Sequence, residues 1–204
     1  MIFCKMTGSQ DHYIGIDEAG RGPLAGPVAL GAVMMTDRGG DFWFTFEKEL
    51  RDSKKLSPQK RQLWFERIEE AREKFLLNYV VVMVGPKTID EKGISSAIAH
   101  GVDRCLIRLK ADPSNCHLVL DGRLKGPERF FHQESVVGGD AKVPIIALAS
   151  IAAKVIRDRE MVRQADLWPG YGFDRHKGYG TEFHRQMIKK RGPCPIHRRS
   201  FTLY

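Results

Sequence analysis

Asp17 and Glu18 are adjacent carboxylates that close the apolar run Tyr13-Ile14-Gly15-Ile16 and lead into Gly20-Arg21-Gly22-Pro23. Carboxylates are the hard oxygen ligands that Mg²⁺ and Mn²⁺ prefer. Glycines let a backbone approach a ligand closely, and an arginine offers a fixed fork of donors to its oxygens. Such a pair beside such a loop suits a site that holds a cation next to a phosphate. Two more acids stand alike: Asp121 ends His117-Leu118-Val119-Leu120, and Asp140 follows Gly138-Gly139. Aspartate is depleted within strands, and apolar neighbours imply partial burial. Singly, each is an ordinary turn former beside glycine. Buried together, like charges are stable only with a cation or a raised pKa.

The elements that must position these acids follow from hydrophobic spacing. Tyr13–Asp17 reads as a strand, and Val28–Met35 as a second one joined to it through the Gly-Pro-rich loop, the two pairing as a hairpin-like unit. Ser57 caps a helix with Pro58 at its first position, and Trp64, Ile68, Ala71 and Phe75 form its apolar face. Leu76–Val84 is a valine-dense strand. Thr88-Ile89-Asp90-Glu91 matches a capping box opening a helix striped with Ile94, Ile98, Val102, Leu106 and Leu109, with Gly93 and Gly101 interrupting its regularity. Strands are expected at His117–Asp121 and Phe131–Val137. From Pro144 to Leu167 runs a helix whose Ala147, Ala149, Ser150, Ala152 and Ala153 would let it press against a sheet. Asp174–Gly180 reads as a polar loop and Thr181–Arg191 as a last basic helix ending at Gly192-Pro193. The pattern is that of an α/β domain with a mixed central sheet flanked by helices and a small C-terminal helical appendage.

Composition narrows the partners. The 204 residues suffice for one domain with a real core, and 42% hydrophobic with 28% charged residues is ordinary for a globular chain. No apolar run approaches the roughly 20 residues of a membrane span, and the N-terminus lacks a signal-peptide pattern, so a cytoplasmic protein without membrane contact is expected. The cysteines, Cys4, Cys105, Cys116 and Cys194, form no C-x-x-C pair and read as reduced thiols. The net charge of +8 fits a polyanionic partner, and basic residues concentrate at Arg51–Arg61 and between Arg175 and Arg199, each cluster beside a motif. A solvated basic face is the plain alternative; a phosphate-tracking surface accounts better for the placement.

The run Tyr13-Ile14-Gly15-Ile16-Asp17-Glu18-Ala19-Gly20-Arg21-Gly22-Pro23 resembles the opening of type 2 ribonucleases H, the bacterial ribonuclease HII family. Further matches occur in family order: Asp52-Ser53-Lys54-Lys55-Leu56-Ser57, Leu120-Asp121-Gly122, Gly139-Asp140, Ala149–Asp158, His176-Lys177-Gly178-Tyr179-Gly180-Thr181 and His197-Arg198-Arg199-Ser200-Phe201. They extend from about residue 13 to 201. The resemblance implies an RNase H-like fold over residues 1–204, with about 168–204 a C-terminal helical segment contributing to substrate binding. It also implies a divalent-metal endonuclease that cuts the RNA strand of an RNA–DNA hybrid, or at a single ribonucleotide embedded in a DNA duplex. By position, Asp17, Glu18, Asp121 and Asp140 match the metal-binding quartet, for Mg²⁺ or Mn²⁺. Gly20, Arg21 and Gly22 match the loop gripping the backbone around the ribonucleotide. Tyr179 matches the tyrosine that packs on the junction sugar, and Lys54 and Lys55 a lysine pair near substrate phosphates.

The chemistry agrees with those roles. Two ions about 4 Å apart activate a water and stabilise the departing oxygen in an in-line displacement at phosphorus. Sensing a ribonucleotide means sensing its 2′-hydroxyl, which main-chain groups of a Gly-Arg-Gly turn can reach without a clash. The plainer roles are a surface arginine for Arg21, a loop anchor for Tyr179, a solvated turn for Lys54 and Lys55, and a helical salt-bridge partner for Asp158. His176 and His184 stay unassigned. Phe42-Trp43-Phe44-Thr45-Phe46 departs from the family pattern and is expected to pack on a sheet edge, a partner-binding patch being the alternative. The chain stops three residues after Phe201, with no tail long enough for an obvious sliding-clamp motif, and about twelve residues precede the first strand, too few for the extra domain of the ribonuclease HIII type. A catalytically silent binding module is the other rival; the intact acid quartet speaks against it. The expected product ends are 5′-phosphate and 3′-hydroxyl, from a monomeric enzyme.

Overall fold

The computed structural model describes residues 12–35 and 56–203. Lys54, Lys55 and the aromatic run Phe42–Phe46 lie outside these residues. The strands are β1 (His12–Ala19), β2 (Val28–Met35), β3 (Leu77–Val84), β4 (Cys116–Asp121) and β5 (Gln133–Val136). The helices are α1 (Pro58–Glu73), α2 (Pro86–Lys92), α3 (Ile94–Leu109), α4 (Pro144–Leu167), α5 (Phe173–His176) and α6 (Glu182–Arg191). A 3₁₀ turn spans Gly139–Ala141.

The strands form one mixed sheet in the order β3-β2-β1-β4-β5. β1–β2 and β2–β3 are antiparallel, while β1–β4 and β4–β5 are parallel. Helices cover both faces, so the central strands are buried on both sides and read as nearly continuous apolar runs. One core joins Ile14, Ile16, Leu30 and Leu118 to Ile98, Val102 and Leu106 of α3. The other joins Val33, Trp64, Phe65 and Val119 to Ile145, Leu148 and Ala152 of α4.

The small-residue face of α4 works as its spacing implies. A Cβ on Gly15 would lie 2.5 Å from the Ile145 carbonyl carbon, and one on Gly31 2.2 Å from the Ala149 oxygen. The helix backbone therefore lies directly against β1 and β2. Side chains alternate along a strand, so Asp17 shares the face of Gly15, and Gly31 is its register partner. That places the residue after Ala149, Ser150, over Asp17.

Three sequence expectations are corrected. Phe75 is not on the apolar face of α1: the helix ends at Glu73, and Phe75 takes a left-handed conformation with its ring exposed. The Thr88–Glu91 capping box does not form, because α2 already starts at Pro86 after Gly85, and Gly93, at φ 77°, breaks the expected single helix into α2 and α3. Asp90 instead accepts from the amides of Arg199 and Ser200. Part of the expected polar loop 174–180 is the short helix α5. The Ser57 cap does form, accepting from the Lys60 amide at 3.2 Å. Among the described residues no helix is long and apolar enough to cross a membrane.

Candidate active site

Parallel pairing sets the acids side by side. Ile16 is in register with Leu120, so Asp17 and Asp121 are the next residues on neighbouring central strands. β4 pairs in turn with β5, and the chain then turns through Gly138, in the left-handed region, into the 3₁₀ turn. There the amides of Gly139 (2.6 Å) and Asp140 (3.3 Å) both donate to Asp121 Oδ1. Two amides thus fix the rotamer of Asp121 and tie Asp140 to it.

Asp17 is almost wholly buried. Its Oδ1 accepts from the Glu18 amide at 2.7 Å, and the Ser150 hydroxyl bonds to its carboxylate. Burial pushes the Asp17 carboxyl up to about 7; Asp121 and Glu18 push the same way, against the Ser150 and Glu18 hydrogen bonds. Glu18 is also raised, chiefly by burial and further by Asp121, while Arg21 opposes the shift from 3.4 Å. These carboxylates therefore feel one another's charge. Their oxygen-only set suits a hard cation, and a cation is what would offset the cost of ionising buried Asp17. No three His, Cys, Asp or Glu side chains among the described residues are drawn together to ligating distance.

A groove of about 700 Å³ runs past these acids. Glu18 and Asp140 line it, with Gly20, Arg21 and Gly22, and Tyr179, Lys154 and Ser150 form more of its wall. Asp17 and Asp121 do not line it but are tied to residues that do, Asp17 to the Ser150 hydroxyl and Asp121 to the Asp140 amide. The fold thus gathers every described candidate into one region, although they come from β1, β4, the 3₁₀ turn and the segment before α6. Tyr179 is partly exposed, with Lys154 Nζ 5.7 Å and Arg157 Cζ 5.9 Å from its ring centre. Asp158 pairs with Lys154 at 2.8 Å, as its helical spacing implies.

Two arginines that sequence reasoning left aside hold the loops in place. Arg198 is fully buried and donates to the carbonyls of Gly20 (2.6 Å), Arg21 (2.8 Å) and Gly26 (3.0 Å). Arg157, equally buried, donates to Pro27 (2.9 Å), Lys177 (3.1 Å) and Ala25 (3.4 Å). Gly178 accepts from the amides of Leu24 and Ala25, and Ala25 bridges to His197. The C-terminal segment is thereby stitched to the glycine loop. The one signal in the sequence was that each arginine stood inside a motif run.

Comparison with known proteins places the chain. Residues 14–204 match the family model for ribonuclease HII. The ribonuclease HII of Endomicrobium trichonymphae is 45% identical over 188 residues, which cover 92% of this chain and 84% of that one. That of Caldicellulosiruptor bescii is 44% identical over 187 residues, with the same coverage. Among solved structures, the RNase HII of the PCNA:RNase HII complex from Archaeoglobus fulgidus superposes with a TM-score of 0.73 at 27% identity, over 94% of this chain and 96% of that one. A Bst-RNase HIII in complex with Mn²⁺ superposes at 0.69 with 18% identity, over 95% of this chain and 68% of that one, a likeness of fold. The fold is RNase H-like, and the chain belongs to the ribonuclease HII family of hydrolytic endoribonucleases.

Proposed function

We propose that this enzyme cleaves the RNA strand of RNA–DNA hybrids and incises DNA duplexes on the 5′ side of a single embedded ribonucleotide, leaving 5′-phosphate and 3′-hydroxyl ends. The observation that carries the proposal is the shared groove: Glu18 and Asp140 face it beside the Gly20-Arg21-Gly22 loop, with Tyr179 on the same wall. Asp17, Glu18, Asp121 and Asp140 would hold Mg²⁺ or Mn²⁺. Two such ions, when bound, supply an activated water and charge stabilisation at the departing oxygen.

The chain's own groups select the substrate. Arg198 takes up the Gly20 and Arg21 carbonyls, leaving amides as the donors the loop offers to a 2′-hydroxyl or phosphate oxygen. A site built to bond that hydroxyl rejects deoxyribose, because its polar groups would be left unpaired. Arg21 neutralises phosphate at the groove mouth, and Tyr179 packs on the sugar at the junction. Lys54 and Lys55 would bind nearby phosphates. The roles in ribonucleotide removal and primer clearance, the cytoplasmic location and the monomeric state belong to the same proposal.

The test is cleavage of a DNA duplex with one embedded ribonucleotide, in Mg²⁺, Mn²⁺ or chelator, beside an all-DNA control. A metal-dependent cut 5′ of the ribonucleotide, absent from the control, is expected. Cleavage confined to long hybrids would overturn the single-ribonucleotide specificity.

A further inference from the structure

Behind Tyr179 lies a file of histidines whose partners fix where every proton sits. His176 Nε2 lies 2.7 Å from the Tyr171 carbonyl, and its Nδ1 is 3.1 Å from the Gly178 amide. A carbonyl only accepts and an amide only donates, so His176 is neutral with its proton on Nε2. His184 Nδ1 lies 2.9 Å from the Tyr179 carbonyl and must carry a proton there. Its Nε2 is 3.1 Å from His197 Nε2, so one of these two nitrogens donates and the other accepts. His197 Nδ1 takes the Cys194 amide at 2.9 Å, with the Cys194 thiol 3.1 Å away. The Cys194 carbonyl, 3.2 Å from the same nitrogen, would call for a proton there; the amide, nearer and with its hydrogen fixed by the backbone, decides the matter. His197 therefore donates from Nε2 and His184 accepts. The file runs Cys194, His197, His184, Tyr179 carbonyl, with one direction throughout.

His184 and His197 are buried, where apolar side chains would fill the space without desolvating polar atoms. What the polar file adds is a defined position for one segment. His184 fixes the Tyr179 carbonyl, His176 fixes the Gly178 amide, and the Gly178 carbonyl meets the amides of Leu24 and Ala25, which follow the glycine loop. The Tyr179 ring itself emerges into the groove.

We infer that His184, oriented by His197 and supported by His176, is a positioning residue that sets Tyr179 at a fixed height above the Gly20-Arg21-Gly22 loop, and does so only while all three imidazoles are neutral. The inference rests on the proposed packing of Tyr179 against the junction sugar. A second proton on His184 would set two Nε2 donors face to face. The surroundings of His184 oppose that proton, burial foremost, then His176, His197 and Arg185, against the Tyr179 carbonyl. At His176 burial and Lys177 oppose it, while the hydrogen bond to the Tyr171 carbonyl and the charge of Asp174 favour it. Burial and His176 act likewise on His197. Phe173 stands edge-on to His176 and His184, and the His176 and His184 rings stack at 4.3 Å.

The test compares His184→Phe, His184→Asn and Tyr179→Ala on the embedded-ribonucleotide duplex, with duplex affinity measured separately. His184→Phe lowers junction cleavage about tenfold, one buried hydrogen bond's worth, with affinity within about twofold of wild type. His184→Asn, which keeps a donor near the Nδ1 position, recovers most of the loss. Adding His184→Phe to Tyr179→Ala costs nothing more, since both act through one ring. Imidazole ¹⁵N shifts of the wild-type enzyme report His184 neutral with its proton on Nδ1. Wild-type junction cleavage by folded His184→Phe beside an impaired Tyr179→Ala overturns the positioning role alone. Wild-type cleavage by Tyr179→Ala overturns the sugar-packing role and this inference with it. A protonated Nε2 on His184 overturns the file whether or not the variants fold.

Discussion

Arg198 Nη2 donates to the Gly20 carbonyl at 2.6 Å across 178 positions of sequence, so the far end of the chain shapes the loop beside the acids. Burial, then the charge of Arg157, pull Arg198 down to about 10, which still leaves it charged at neutral pH. Its planar fork serves three carbonyls at once, a geometry lysine cannot copy. Arg198→Lys is expected to lower stability by about 2–4 kcal/mol, because carbonyls lose donors in a buried place. Junction cleavage should fall further than the folded fraction does. Urea unfolding and cleavage rates on one preparation check this; a rate that merely tracks the folded fraction would limit Arg198 to stability.

Asp121→Asn separates chemistry from architecture. An asparagine oxygen can still accept from the Gly139 and Asp140 amides, so the 3₁₀ turn keeps its anchor. The negative charge is lost, and a neutral amide holds divalent metal poorly. Cleavage should vanish while duplex binding changes by less than about threefold, since the phosphate-binding cations are untouched. Cleavage near the wild-type rate would remove Asp121 from the site.

Metal should stabilise the folded chain in a pH-dependent way. Asp17 titrates near 3.8 in an unfolded chain and at about 7 when folded. Between those values the folded state keeps a proton the unfolded state has lost, so stability falls as pH climbs through the window, and the cost is complete above about 7. A bound cation offsets that cost. Mg²⁺ or Mn²⁺ should therefore raise Tm more at pH 8 than at pH 6, and in chelator at pH 8 Asp17→Asn should melt above wild type. Equal increments at both pH values would show that Asp17 does not carry the effect.

The acids and the glycine loop were legible because their chemistry lies in contiguous runs: Asp17 through Gly22 is a strand end and its turn, and the sheet order then brings Asp121 beside it. The small-residue face of α4 was equally visible, since Ala147, Ala149, Ser150, Ala152 and Ala153 lack bulk; that Gly15 and Gly31 are the strand positions it presses against came only with the sheet order. Arg157 and Arg198 were not, because an arginine in a basic stretch reads as solvent-facing, and burial at these positions comes from loops distant in sequence. His176, His184 and His197 escaped for the same reason. Thr88 misled because the capping pattern is local, whereas Gly85-Pro86 had already started the helix and Asp90 was engaged by Ser200.

The histidine file predicts acid sensitivity. His184 is lowered from 6.5 to about 4, chiefly by burial. As pH falls through 6.5 the unfolded chain gains a proton that the folded chain refuses until about 4. The stability is whole above 6.5 and lost progressively towards 4. At about 1.4 kcal/mol per pKa unit, His184 alone accounts for about 3 kcal/mol, and His176 and His197 shift the same way. Urea midpoints between pH 7 and pH 5 should drop for wild type and drop less for His184→Phe; parallel curves would remove His184 as the cause.

The two glycines of the loop should respond to one added methyl group in different ways, Gly20 through stability and Gly22 through cleavage. Gly20 has φ +89°, and its Cβ would fall 1.9 Å from buried Arg157 Nε, so Gly20→Ala strains the backbone and displaces the arginine. A loss of at least about 2 kcal/mol is expected, from the left-handed conformation and the overlap together. At Gly22 a Cβ meets nothing within 4 Å among the described residues, and the position lines the groove. No described residue requires glycine there; a close-approaching sugar or phosphate would. Gly22→Ala should keep stability within about 0.5 kcal/mol of wild type and still lose junction cleavage. Thermal melts and cleavage assays on both variants decide it: a Gly22→Ala enzyme with full activity would mean the substrate backbone does not come close to this loop.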